Sequence, residues 1–127
     1  MSIYFDPQSH LVAVNVLLKG PERDYYARLA LDTGATYTMI SKEVLELIGY
    51  NPDSLPKIVN FTTGSGMESA SSLRVNQIEA LGQKLTDFPL VAFTLPPSAL
   101  IDGLLGLDFF RGRILTIDFQ KGEVSLQ

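Results

Sequence analysis

The sequence predicts a mainly β fold, and three observations carry the prediction. Short apolar or alternating runs recur along the chain, turns bearing glycine or proline separate them, and one stretch alone has the full signature of a helix. The 127 residues, 46% of them hydrophobic, suffice for one core and leave little room for a second, so one domain over residues 1–127 is expected. No repeat, low-complexity tract or linker interrupts the pattern.

Residues 11–18, LVAVNVLL, are apolar and valine-rich and predict a strand. KGPERD turns the chain at Gly20 and Pro21. YYARLALD then alternates, with Tyr25, Ala27, Leu29 and Leu31 on one side and Tyr26, Arg28 and Ala30 on the other, so a second hairpin strand delivers Asp32 at its end. SKEVLELIG predicts a helix over 41–48. Ser41 caps it, Glu43 sits near the positive dipole end, Val44, Leu45 and Ile48 share a face, and Gly49 closes it. YNPDSLP is a loop by its prolines.

Residues 57–78, KIVNFTTGSGMESASSLRVNQI, predict two strands joined by a flexible tip at Gly64, Ser65 and Gly66. A tight turn at Gly82 leads to an apolar strand from Leu90 to Leu95, which Pro96 and Pro97 end. DGLLGLDFF predicts a short helix or turn near 106–111. RILTIDF, QKG and EVSLQ close the chain as a hairpin around Lys121 and Gly122.

Composition removes several kinds of chemistry. The formal net charge is −4, and the ten basic residues are scattered from Lys19 to Lys121, so nucleic acid and anionic membrane surfaces are not expected partners. With no cysteine there is no disulfide, thiolate metal site or cysteine nucleophile. His10 is the only histidine; beside a strand it reads as a surface residue, and one imidazole supports neither a histidine-dependent triad nor a typical zinc site. No metal and no cofactor are expected. The start MSIYFDPQSH lacks a basic, then apolar, leader, and no apolar run approaches the roughly 20 residues of a membrane span. The expected setting is soluble, cytoplasmic rather than secreted, unless the chain is cut from a longer parent. Carboxylates and hydroxyls remain as reacting groups.

Among the carboxylates, Asp32 stands out in LALDTGATYTMIS. It follows Leu29, Ala30 and Leu31 and precedes a hydroxyl residue and a glycine. A charge at the edge of a core is costly unless it is paired or does chemistry. Three stretches in a fixed order then carry a resemblance: LDTGAT at 31–36, TTGSGM at 62–67 and DGLLGLDFF at 102–110. They are similar to the active-site loop, the flap and the hydrophobic-hydrophobic-glycine motif of retropepsin-like aspartic proteases. The match is closer to bacterial and cellular members than to viral ones, and it extends over nearly the whole chain.

The resemblance implies an acid-protease barrel with one main short helix and a flap hairpin, active as a twofold dimer. It assigns the catalytic carboxylate to Asp32 and active-site support to Thr33 and Gly34. Thr33 would tie two active-site loops together, and the Gly34 amide would approach the carboxylate. Ala35 and the hairpin residues Thr63, Gly64, Ser65 and Gly66 would bind substrate, and Leu104, Leu105 and Gly106 would pack beneath the loop. In such enzymes a water lies between two carboxylates that share one proton; one acts as base and the other as acid. Activity on the acidic side of neutrality follows.

One Asp-Thr-Gly occurs here, so the second carboxylate is expected from Asp32 of another copy across a twofold axis. SIYF and EVSLQ are candidate interface strands. The viral pattern of acidic residues after the first motif and arginine after the last is absent, for Thr36, Tyr37 and Leu107 occupy those places. Asp108 is left for a different, local hydrogen-bond arrangement.

Plainer readings stand beside these. Asp-Thr-Gly alone suits a turn after a strand, and TGSG alone suits a mobile hairpin; it lacks the lysine and helix of a phosphate loop. Asp102 and Asp108 read better as caps of the short helix than as catalysts. Tyr25, Tyr26 and Tyr37 are core or rim residues, or shape pockets. The expected activity is that of a homodimeric aspartic endopeptidase acting on extended peptides. The alternatives are a dimeric peptide- or protein-binding module without turnover, and a fragment whose partner lobe lies elsewhere.

Overall fold

The computed structural model describes residues 1–96 and 98–127. Its longest early feature is the hairpin of β2 (Ala13–Lys19) and β3 (Asp24–Leu31), in register from Ala13↔Ala30 to Lys19↔Asp24. Alternation runs along most of the hairpin: Val14, Val16 and Leu18 are buried on one strand, Ala27 and Leu29 on the other, and Asn15, Tyr26 and Arg28 face out, until Ala30 is buried as well near the strand end. The expected strand at 11–18 begins two residues later. Leu11 is exposed, though the Val12 carbonyl still accepts the Leu31 amide at 2.8 Å.

With β4 (Met39–Ser41), β7 (Ser72–Ala80), β8 (Gln83–Phe93) and β9 (Gly103–Leu105), six strands close into a barrel in the order β2-β3-β9-β4-β8-β7. Two of them, β4 and β9, have three residues each and were not expected from sequence. Three residues display no period, and what holds these strands is remote in the chain. β9 runs parallel to β3 and antiparallel to β4, while β4 runs parallel to β8. Gly103 permits the closure, since a Cβ there would lie 2.0 Å from the Met39 carbonyl oxygen.

The stretch 57–78 holds three strands rather than two. β5 (Val59–Thr63) and β6 (Gly66–Ala70) form a separate hairpin, and β7 (Ser72–Ala80) joins the barrel. Ser71 makes the break. It is buried, its hydroxyl donates to the Pro52 carbonyl at 3.1 Å, and its own carbonyl accepts the Ala92 amide at 2.9 Å. The next turn, Leu81-Gly82, has positive φ at both residues (53° and 78°), as a two-residue hairpin turn requires.

β8 (Gln83–Phe93) starts directly after that turn, well before the expected Leu90, and ends at Phe93 rather than Leu95. Asp87 and Pro89 conceal its first half by interrupting the apolar pattern. Pairing lapses where Asn76 faces Asp87, which sits at φ 51°, and resumes in the same register on either side, with Pro89 opposite Arg74. Of the two prolines expected to end the strand, Pro96 lies past its end and Pro97 lies outside the described residues.

α1 (Lys42–Leu47) follows the sequence closely. The Ser41 hydroxyl accepts the Val44 amide at 3.3 Å, Val44, Leu45 and Ile48 are buried, and Gly49 at φ 112° follows the helix. α2 (Leu107–Phe110) is the short helix expected after Gly106. The closing hairpin, β10 (Leu115–Asp118) and β11 (Glu123–Leu126), takes β1 (Ser2–Tyr4) as a third strand in the order β1-β11-β10.

The main core joins barrel and helices through Leu18, Leu29, Ile40, Leu45, Ile78, Leu90, Leu105 and Phe109. Phe109 meets Phe88 edge to face at 6.1 Å and Phe110 at 5.4 Å. A second cluster of Met39, Ala70 and Val91, with Val59, Phe61, Phe93 and Leu104 against it, seats the β5–β6 hairpin over the barrel. That seat forms one wall of the candidate site.

Candidate active site

Strand β3 ends at Leu31, and the next residue is held from two sides. The Asp32 amide donates to the Leu105 carbonyl at 3.0 Å, and its carbonyl accepts the Ala35 amide at 3.1 Å. The chain thus turns over residues 32–35 against β9. Inside the turn the Gly34 amide donates to Asp32 Oδ1 at 2.9 Å, which aims the carboxylate and offsets part of its charge. A Cβ on Gly34 would stand 3.1 Å from that same oxygen, so glycine suits the close approach.

The loop is locked to the last motif. The Leu107 amide donates to the Ala35 carbonyl at 2.8 Å. Fully buried Thr38 receives the Gly106 amide on its hydroxyl oxygen at 3.1 Å, and its own hydroxyl and amide donate to Asp108 Oδ1 at 2.7 and 2.9 Å. Gly106 is required there, because a Cβ would come within 2.6 Å of the Tyr37 carbonyl oxygen.

This corrects the reading of Asp102 and Asp108 as helix caps. The N-cap of α2 is Gly106, which gives no side-chain capping bond. Asp108 is instead the acceptor that holds the Thr38 turn. Asp102 Oδ2 accepts the Arg28 amide at 2.9 Å, and its backbone bonds Arg28 and Ser41, tying β3 to β4.

A cleft of about 640 Å³ opens beside Asp32, beneath the β5–β6 hairpin. Of the residues singled out from sequence, Asp32, Gly34, Ala35, Thr63, Ser65 and Leu104 lie on its wall. Thr33 is exposed and its hydroxyl makes no hydrogen bond among the described residues. Gly64 and Gly66 form the hairpin tip with open space around them, and Leu105 and Gly106 are buried below the loop. The tip is ordered by Thr63, whose Oγ1 accepts the Ser65 amide at 3.3 Å and donates to the Gly66 carbonyl at 3.2 Å.

The wall also includes residues that sequence reasoning passed over. Met39, Asn60, Phe61, Glu68, Phe93 and Thr94 all line the cleft. Of the three tyrosines, Tyr37 lines it, Tyr25 lines a different depression, and Tyr26 is 75% exposed on the outer surface. The missed signal was pairing. Val59, Phe61 and Thr63 alternate inward on β5, and register carries that face to Glu68 and Ala70 on β6. Nothing in the sequence foretold Thr38, a buried threonine whose acceptor lies 70 residues away.

Among the described residues, no group of three His, Cys, Asp or Glu side chains is placed to hold a metal ion. No described helix is long and apolar enough to cross a membrane. The arrangement therefore offers a fixed carboxylate, open to the cleft, beside apolar surface that suits an extended chain.

Comparison with solved structures places this fold. A retropepsin-like aspartic protease from Rickettsia conorii superposes with a TM-score of 0.72 at 17% identity, over 100% of this chain and 97% of that one. The EIAV protease, in complex with an inhibitor, gives 0.64 at 16% identity, over 86% of this chain and 92% of that one. At such identities the likeness establishes the retropepsin-like fold. Comparison with curated proteins gives no match. The family model described as aspartyl protease matches residues 14–109, a span that takes in the Asp32 turn, the β5–β6 hairpin and the Gly106 motif. On that match the chain belongs to the aspartyl protease family.

Proposed function

We propose that this chain is a homodimeric aspartic endopeptidase that hydrolyses extended peptides. The observation that carries the reading is the Asp32 carboxylate, fixed by the Gly34 amide at 2.9 Å on the wall of the cleft beneath the hairpin. One chain supplies one Asp-Thr-Gly, and Asp102 and Asp108 are engaged by backbone and threonine donors elsewhere. The second carboxylate comes from Asp32 of a second copy, related by a twofold axis through the site.

Two carboxylates about 3 Å apart hold one proton between them. The ionised one takes a proton from the attacking water as the other donates to the scissile carbonyl oxygen, giving a tetrahedral diol. Collapse of the diol returns a proton to the leaving amine. Thr33, exposed at the turn, contacts the partner's loop. Ala35 and the inner face of the hairpin, Thr63 to Gly66, hold the peptide backbone extended, and Leu104, Leu105 and Gly106 keep the loop in place. Closure of the hairpin excludes bulk water. Residues 1–127 form one domain, which supplies half of the catalytic dimer.

Hydrolysis of a peptide library by wild type and Asp32→Asn tests this. The amide is nearly isosteric but is no general base, so the rate should fall by about 10³-fold or more while folding and peptide binding persist. A folded Asp32→Asn protein cleaving at the wild-type rate would remove Asp32 from the chemistry. Peptide binding by both proteins with turnover by neither would favour a binding module of the same fold.

A further inference from the structure

The hairpin over the cleft carries a carboxylate with no evident structural role. Register pairs Phe61 with Glu68 and Val59 with Ala70, so these four residues share the inward face of β5–β6. Ala70 is buried against Met39 and Val91, which fixes that face toward the barrel. Glu68, itself exposed to solvent, lies on the wall of the cleft together with Asn60, Thr62 and Thr63 of β5. Among the described residues, Glu68 makes no side-chain hydrogen bond and no cation lies within 4.0 Å of its carboxylate; the salt bridges are Lys42–Asp53, Arg74–Asp87 and Lys84–Glu79.

The surroundings define what this carboxylate would select. Glu68 and Asp32 are the two carboxylates on the wall, and among the described residues no lysine, arginine or histidine shares it. Phe61 lies directly across the ladder, and Phe93 and Leu104 continue the apolar surface beneath. Glu68 also borders a neighbouring depression lined by Lys42, which pairs with Asp53, and by Lys57, which is exposed and belongs to no ion pair among the described residues. An apolar floor ending at an unpaired carboxylate matches a long side chain with a methylene stem and a cationic head. Aromatic rings add attraction for the cation. The net charge of −4 favours approach by a basic peptide.

We propose that Glu68 is a specificity-determining residue that selects peptides bearing lysine or arginine near the scissile bond. The selection rests on the reading of this cleft as a peptide site, and in a symmetric dimer both copies of Glu68 would flank the substrate. Lysine should be preferred over glutamine at the responsive position by about three- to tenfold, with glutamate disfavoured further. The preference should weaken as salt is raised.

The test measures binding separately from turnover. Fluorescent peptides scanned with lysine, glutamine and glutamate at each position are titrated against Asp32→Asn, Asp32→Asn/Glu68→Gln and Asp32→Asn/Glu68→Lys, with circular dichroism to confirm folding. Asp32→Asn should favour lysine at one or two positions. Glu68→Gln should abolish that ratio and Glu68→Lys should invert it toward glutamate. Equal affinity for all three residues in Asp32→Asn, a lysine preference that survives Glu68→Gln, or no binding of any peptide would overturn the proposal. A wild-type protein that hydrolyses nothing, while Asp32→Asn binds with a Glu68-dependent preference, would sink the protease reading and leave the charge selection standing.

Discussion

At the scale of residues, the turn that presents Asp32 depends on one buried hydroxyl. The Thr38 hydroxyl donates to Asp108 beside the Thr38 backbone amide and accepts the Gly106 amide, so one side chain joins the loop after Asp32 to the start of α2. Valine has the same shape but leaves the Gly106 amide without its acceptor and Asp108 without the hydroxyl. Thr38→Val should therefore cost about 1–3 kcal/mol, read as a lower urea midpoint with an unchanged slope. An unchanged midpoint would mean that backbone contacts alone hold the turn. Sequence made Asp32, Gly34 and Gly106 legible because short motifs carry a local mechanism: a carboxylate, an amide at hydrogen-bonding distance, a close backbone approach. It did not make Thr38 or the true partners of Asp102 and Asp108 legible. Those bonds span 68 to 74 residues of sequence, and no local pattern records them.

Among the elements, the β5–β6 hairpin has the least support. It forms its own two-stranded sheet, has open space around Gly64 and Gly66, and rests on the barrel through Ala70 and the Phe61 side of its inner face. Isolated hairpins are marginally stable, so its tip should open more readily than the barrel strands. In hydrogen exchange, amides at 61–68 should lose protection well before those of β2 and β3, and a peptide-like inhibitor should slow them. Equal protection in the hairpin and the barrel, with and without inhibitor, would contradict a lid.

Element type followed from sequence wherever an element was long enough to show its period. The β2–β3 hairpin and α1 bear this out, the helix with its Ser41 cap in place. The reading failed at β4 and β9, each three residues held by remote partners, at the Ser71 break, and across Asp87 and Pro89. In each, tertiary pairing outweighed the local pattern.

For the whole molecule, the central claim is that two copies of Asp32 make one catalytic centre. The chain contains one Asp-Thr-Gly, and the proposed twofold arrangement would supply what it lacks. Co-refolding wild type with Asp32→Asn at fixed total concentration tests this most directly, because random pairing dilutes wild-type homodimers in a known way. Activity per wild-type chain should fall in proportion to the wild-type fraction, to about one half in an equimolar mixture. Activity per wild-type chain that stays constant at every mixing ratio would contradict the account, for each chain would then carry a complete site of its own.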